Sequence, residues 1–343
     1  MIFFDVTKAG VAGHRSGLMR VSARLADGLG AAASEVRWPA WNRAVHADDW
    51  LLTSELFSEE ERPGFTEFIA ARPCRLAAIF HDAIPLQHPR ITWPQSVARH
   101  PGYMKLLSRF DRVWAVSEAS KRDLLGFWRW QGVERMPPVE VLALGADFNS
   151  APRIAARTTI PTAGTRLPGL LCVGILEPRK NQAFLLDVCE ELWREGLRFE
   201  LHVVGRVNPH FGAPLVARIQ SLARTIPSLR YHATASDAEV AALYATVRAS
   251  VFPTIAEGCG LPLLESLWMG VPCVCSDLPV LRENADGGGC LTAAPDDRSA
   301  WKAALQRVLT DDALHAKLAA EAVSRPLPTW TEAAQTLRRA LQA

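Results

Sequence analysis

Short apolar runs of strand length alternate along the chain with stretches whose apolar residues recur every three or four positions. Ile2–Val6 reads as a first strand. The helix predicted from Leu18 to about Leu29 sets Leu18, Val21, Leu25 and Leu29 on one face. Arg75–Phe80 and Asp111–Val116 are the next firm strands. Ser117 is a good N-cap for a helix running towards Trp128, and Val139–Leu144 ends the first half. Asn149 to Pro168 has no periodicity and carries three prolines, the composition of an interdomain linker. The pattern then resumes with strands at Leu170–Val173, Phe199–Val204, Leu229–Tyr231, Ala249–Phe252 and Pro272–Cys275. Between and after them come helices near Gln182–Trp193, Asp237–Thr246, Arg298–Leu309 and Asp312–Ala322, and a turn at Leu281–Asn284. Pro326 and Pro328 precede a last amphipathic helix, Trp330–Leu341. Strand and helix alternating in both halves call for an α/β fold of two parallel-sheet, Rossmann-like domains, with right-handed crossovers. The predicted boundaries are 1–150, a linker at 151–168, and 169–327. Carboxyl edges facing across a cleft would bring His81 opposite Arg179, Lys180 and Glu257.

At 343 residues two cores are expected rather than one. The formal charge of +2 gives no footing for a nucleic-acid partner. The chain opens directly on a strand-like run, so no signal peptide is expected, and the longest apolar runs are too short to span a membrane. Its seven cysteines are odd in number and lack metal spacing, which points to reduced thiols in a cytoplasmic protein with no metal.

The richest chemistry lies in 252–265. There an apolar strand passes through Glu257, Gly258, Cys259, Gly260 and Leu261 into a helix with Pro262 at an early position. Unpaired amides and the positive end of the helix dipole make an anion site, and Glu257 and Glu265 bracket it. Carboxylates accept from hydroxyls and amides bind phosphate, so a nucleotide sugar fits. Three further strand ends carry candidates. Gly174 leads into Arg179 and Lys180, a pair suited to a pyrophosphate or else to solvated surface. Gly205 and Arg206 end another strand, where a glycine lets a flat base approach. His81 and Asp82 serve either proton transfer and hydroxyl binding, or a capping aspartate beside a packed histidine. A glycine loop at positions 10, 13 and 17 is a weaker phosphate cradle or a plain connection. Basic and aromatic residues mix between Arg99 and Trp130, among them Lys105, Arg109, Arg112, Lys121, Arg122, Phe127, Trp128 and Arg129. They suit either an anionic bilayer or a solvated helix face over buried tryptophans.

Glu257 and Glu265, with seven residues between them within FPTIAEGCGLPLLES, resemble the E-x7-E motif of family-4 glycosyltransferases, retaining enzymes of the two-domain GT-B architecture. VGILEPRKN (173–181), FHDAIP (80–85), VSEASKRDL (116–124) and SDLPVLREN (276–284) continue the resemblance. It implies that the closing helix, 328–343, crosses back onto the first, acceptor-side domain, and that the second binds the nucleotide sugar. Arg179 and Lys180 would hold the donor pyrophosphate and Glu257 the sugar hydroxyls. Gly258, Cys259, Gly260 and Leu261 would offer backbone amides, Glu265 would bind the ribose, and Gly205 and Arg206 would flank the base. His81, with Asp82, would sit by the anomeric carbon. Gly174 would lie near the donor, and the Gly13–Gly17 loop near the phosphates or the acceptor. The chain departs from the family at Met19, where a second glycine is usual, and at Cys259, where Phe is usual. FHDAIPLQHP is similar to bacterial mannosyl- and rhamnosyltransferases of surface polysaccharides, which implies a mannose-like donor such as GDP-mannose. The acceptor implied is a glycan or lipid-linked saccharide, and a lipid-linked glycan at the inner membrane face would suit the basic, aromatic stretch from Arg99 to Trp130. A sugar-nucleotide epimerase and a catalytically idle, transferase-like subunit are the rival expectations.

Overall fold

The computed structural model describes residues 1–11, 17–41, 44–148, 152–154 and 167–342. Gly13, Ser16 and most of the expected linker lie outside the described residues. The chain divides into two compact units, one of residues 1–145 with 328–343 and one of residues 146–327.

The first unit is a six-stranded parallel sheet. Its strands are β1 (Ile2–Asp5), β2 (Ala33–Val36), β3 (Trp50–Thr53), β4 (Arg75–Phe80), β5 (Arg112–Ala115) and β6 (Val139–Val141), in the order β2-β1-β3-β4-β5-β6. Its helices are α1 (Gly17–Leu29), α2 (Phe65–Ala71), α3 (Ile84–Gln87), α4 (Pro94–Leu107) and α5 (Glu118–Trp130). The central β4 is buried from Leu76 to Phe80, as a strand covered on both faces must be. Phe3, Leu51, Leu76, Phe80, Val113, Leu124 and Trp128 fill one side of the sheet. Ser117 caps α5, its hydroxyl accepting from the Ser120 amide at 3.0 Å.

The second unit repeats the plan with β7 (Gly169–Val173), β8 (Glu200–Val204), β9 (Leu229–His232), β10 (Ala249–Phe252), β11 (Cys273–Ser276) and β12 (Cys290–Ala293). Their order is β12-β11-β10-β7-β8-β9, and every pair is parallel. Its helices are α6 (Gln182–Arg194), α7 (Ala213–Ala223), α8 (Asp237–Thr246), α9 (Leu261–Trp268), α10 (Pro279–Ala285), α11 (Arg298–Thr310) and α12 (Asp312–Ser324). The stretch expected as a turn at 281–284 is the body of α10, because Pro279 starts a helix that buries Val280, Leu281 and Ala285. The closing helix, α13 (Trp330–Gln342), belongs to the first unit and lies against α1. Its Trp330, Ala334, Leu337 and Leu341 are buried.

Candidate active site

In the second unit the chain runs outward from β7 through β8 to β9, then returns to β10 on the other side of β7. Beyond the carboxyl ends of β7 and β10 is therefore the point where strand order reverses, the usual ligand crevice of an open α/β sheet. The two loops leaving these strands carry Arg179 and Lys180 on one side and Glu257 on the other. They are laced together by backbone: the Ile255 amide donates to the Arg179 carbonyl at 2.9 Å, and the Thr254 hydroxyl oxygen lies 3.0 Å from that carbonyl.

Glu257 is the hub. One oxygen, Oε1, accepts from Lys180 Nζ at 2.6 Å, from Arg179 Nη1 at 2.9 Å and from Thr254 Oγ1 at 2.8 Å. Arg179 also grips the Ala256 carbonyl at 3.0 Å and Glu177 at 2.8 Å. Lys180 lies 4.9 Å from the centre of the Phe252 ring and is buried. Burial pushes the Glu257 carboxyl up, but Lys180 and Arg179 pull it down harder and hold it below the usual carboxylate range. Burial lowers Lys180 against the pull of Glu257. Two cations thus face two carboxylates, and an arriving anion competes with Glu257 and Glu177 for their donors.

Beside this cluster α9 begins. Gly260 stands at its N-terminus with φ of +85°, and a Cβ there would come within 2.5 Å of Leu281. The Asn284 side chain donates to the Cys259 carbonyl at 2.6 Å, so α10 clamps the turn. Burial, followed by Glu257 and Glu283, pushes the Cys259 thiol up to about 12, with Glu265 adding to the same effect. Both carboxylates of the motif therefore act on this one thiol. Glu265 itself is buried, one turn into α9. Gly258 is buried and Leu261 half-buried.

Gly174 follows β7, and a Cβ added there would meet the Lys180 stem at 3.6 Å, an ordinary van der Waals contact. Gly205 needs to be glycine for the unit's own packing: at φ of +152°, a Cβ would lie 1.9 Å from the Gly174 carbonyl oxygen. The crossing of these two loops thus accounts for that glycine without a ligand. Arg206 is half-buried, and its carbonyl accepts from the Leu176 amide at 2.9 Å.

His81, Asp82 and Gly17 belong to the first unit. His81 follows β4, and its Nε2 lies 2.7 Å from the Ser54 carbonyl, which can only accept, so the proton sits on Nε2. Burial lowers this ring from the ordinary histidine range, against the Ser54 carbonyl and Asp82. The Ser120 hydroxyl donates to the His81 carbonyl at 2.7 Å, fixing the residue from α5 as well. Asp82 accepts from the Ile84 amide at 3.0 Å, in a turn that opens α3. Gly17 starts α1 with open space where a side chain would stand.

Sequence reading missed Thr254 and Glu177, which complete the cluster around Arg179. It also missed a buried trio in the first unit. Arg62, wholly buried, pairs with Asp5 and with Glu55 at 2.6 Å each, and Glu55 accepts from the Lys8 and Ala9 amides at 2.8 and 2.7 Å. The available signal was Asp5 and Glu55 at the ends of two apolar strands, the positions that flank the strand-order reversal of this sheet. Among the described residues no group of three or more His, Cys, Asp or Glu side chains is arranged to hold a metal ion. No helix among them is long and apolar enough to cross a membrane.

Residues 168–311 match the family described as Glycosyl transferases group 1. The serotype-specific mannosyltransferase WbdA of Escherichia coli is 29% identical over 252 residues, which are 69% of this chain and 30% of that protein. The O-antigen chain mannosyltransferase B of Escherichia coli is 34% identical over 143 residues, covering 41% of this chain and 37% of its own length. The matched stretch thus spans less than half the length of either relative. Among solved structures, sucrose-phosphate synthase from Thermosynechococcus elongatus is 17% identical with a TM-score of 0.73, covering 99% of this chain and 98% of that one. Anabaena Alr3699/HepE, solved with UDP-glucose, is 14% identical with a TM-score of 0.74 over 99% of each chain. WaaG, a glycosyltransferase involved in lipopolysaccharide biosynthesis, is 13% identical with a TM-score of 0.66 over 100% of each. At such identities the likeness carries the fold, and the two parallel-sheet units are those of the GT-B architecture.

Proposed function

We propose that this chain is a glycosyltransferase that moves a mannose-like hexose from a nucleoside-diphosphate sugar to a hydroxyl of a glycan or lipid-linked saccharide. Surface polysaccharide synthesis in the cytoplasm is the setting this reading implies. The observation that carries it is the convergence of Lys180 and Arg179 on Glu257 beside the start of α9, inside the stretch that matches the family. The likeness to WbdA and to mannosyltransferase B supports mannose, and GDP-mannose is the donor to try first.

In this proposal the diphosphate lies against Lys180, Arg179 and the first amides of α9. Lys180 has three N–H donors, so it can reach phosphate oxygens while keeping hold of Glu257, and Arg179 does so by giving up part of its hold on Glu177. Glu257 then accepts hydroxyls of the sugar, and Glu265 those of the ribose. The bond from the anomeric carbon to the diphosphate oxygen breaks as positive charge builds on the sugar. The acceptor oxygen attacks from the same face, its proton passing to a diphosphate oxygen, which retains the anomeric configuration. Arg179 and Lys180 meet the charge of the leaving group, so the scheme calls on no metal ion. Within the first unit, His81 is assigned a neutral hydrogen-bonding role, its Nε2 proton directed to the Ser54 carbonyl.

The test incubates the protein with GDP-mannose or UDP-glucose, with and without a mannose-terminated acceptor, and follows products by mass spectrometry and proton NMR. Transfer from GDP-mannose giving an α-anomer is expected. Isomerised donor in the absence of acceptor would make the protein an epimerase. No transfer and no hydrolysis with any nucleotide sugar would make it an idle partner subunit. A β-anomer would remove the retaining mechanism.

A further inference from the structure

The loops that leave β7 and β8 stay paired after their strands end. Leu176 and Val207 form one further parallel bridge, with the Leu176 amide donating to the Arg206 carbonyl at 2.9 Å and the Asn208 amide to the Leu176 carbonyl at 3.2 Å. The next residue of each loop, Glu177 and Asn208, is thereby brought beside the other. Asn208 is buried, and its Oδ1 accepts from the His210 amide at 2.9 Å and the Phe211 amide at 3.3 Å. That turn leads into α7 and fixes the side chain so that its nitrogen, the donor, faces Glu177.

Glu177 divides its oxygens between two partners. Oε2 accepts from Asn208 Nδ2 at 3.0 Å, while Oε1 accepts from Arg179 Nε at 3.1 Å and lies 2.8 Å from Arg179 Nη2. The other end of the guanidinium, Nη1, donates to Ala256 and Glu257. A planar group gripped at both ends has its orientation settled before a ligand arrives, which lowers the ordering cost of binding. A chain of contacts thus runs from the turn after β8 through Asn208 and Glu177 to Arg179. It requires an acceptor at each oxygen of residue 177 and a donor at residue 208.

We propose that Asn208 and Glu177 are positioning residues, which set Arg179 for the donor's diphosphate from the loop that follows β8. The proposal rests on the reading of Arg179 as a diphosphate ligand. Asn208→Asp keeps Oδ1 for the turn but sets a second carboxylate against Glu177. Glu177→Gln offers one acceptor oxygen where Asn208 and Arg179 each need one. In the double variant the roles are exchanged: the new amide donates to the new carboxylate and gives its oxygen to Arg179. Titration calorimetry of the full chain with inorganic pyrophosphate reads wild type and all three variants. Asn208→Asp should weaken binding about tenfold, within the range of coupling inside one hydrogen-bonded network. Glu177→Gln should weaken it too, and the double variant should regain at least wild-type affinity. Because the double variant remakes each bond, its reading decides even where a single variant melts early. If charge alone mattered, Glu177→Gln would bind pyrophosphate more tightly than wild type, and that result overturns the proposal. So does unchanged binding by Asn208→Asp, or a double variant no tighter than the weaker single one. Any of these, with wild type binding pyrophosphate, leaves the reading of Arg179 standing. Wild type that does not bind pyrophosphate overturns both together.

Discussion

Glu257 is where single atoms decide most. Its Oε1 takes three donors at once, and Lys180, buried beside it, has its charge balanced there. Glu257→Gln keeps the shape and removes the charge, so Lys180 is left buried beside Arg179 with its main counter-charge gone. Breaking a buried pair from one side costs about 3 kcal/mol, and urea unfolding should show a loss of that order. The sign with pH follows from the direction of the shift. The carboxyl titrates lower in the fold than in the unfolded chain, so its stabilisation is complete above the unfolded value of 4.5 and is lost as pH falls through the lower, folded one. The Gln variant should lack this acid-dependent part, read as a smaller drop in urea midpoint between pH 6 and pH 4. Lys180→Ala tests chemistry instead, because Arg179 and Thr254 still hold Glu257. Turnover should fall about 100-fold, the scale of one preorganised stabilising group. Unchanged turnover would remove Lys180 from the reaction. Arg179, Lys180 and Glu257 were legible in sequence because each stands just past the end of an apolar strand. That their charges engage each other was not, since it depends on β7 and β10 being neighbours in the sheet.

At the scale of elements, α13 shows what holds the chain's end to the first unit. Val21, Leu25 and Leu29 of α1 bury one face, and small residues let the two helices approach closely. A Cβ on Gly28 would lie 2.7 Å from the Ala334 Cβ and 3.2 Å from the Trp330 carbonyl oxygen. Gly28→Val should therefore push α13 away and cost about 2 kcal/mol through overpacking, with Gly28→Ala milder. A melting temperature equal to wild type for the valine variant would refute that close fit. The long periodic helices α1, α6, α8, α11 and α13 were readable, as were the strongly apolar strands. β2, β3, β12, α2, α3, α4 and α7 were not, and α10 was expected only as a turn. β3 is four residues between Asp49 and Ser54, too short for a period to show. α4 carries Pro101 within it and a first half with Val97 as its one large apolar residue, so local rules argue against a helix that tertiary packing of Tyr103, Met104 and Leu107 sustains.

For the molecule as a whole, the informative quantity is how a bound donor shifts unfolding. Each unit has its own sheet and its own packed core, and every donor contact assigned to a charged side chain (Arg179, Lys180, Glu257, Glu265) lies in the second. A ligand that binds only the folded form adds about 2.7 kcal/mol at 100 times its dissociation constant. For a unit of this size each kcal/mol is worth about 3 °C, so GDP-mannose near saturation should raise the second unit's transition by about 8 °C. The first unit's transition should follow only as far as its unfolding is coupled to the second's. Differential scanning calorimetry with and without the nucleotide sugar separates the two. Lys180→Ala should lose most of the shift while Trp130→Ser keeps it, since Trp130 lies in the other unit. A shift confined to the first unit, or one that Lys180→Ala leaves untouched, would move the donor site away from the carboxyl ends of β7 and β10.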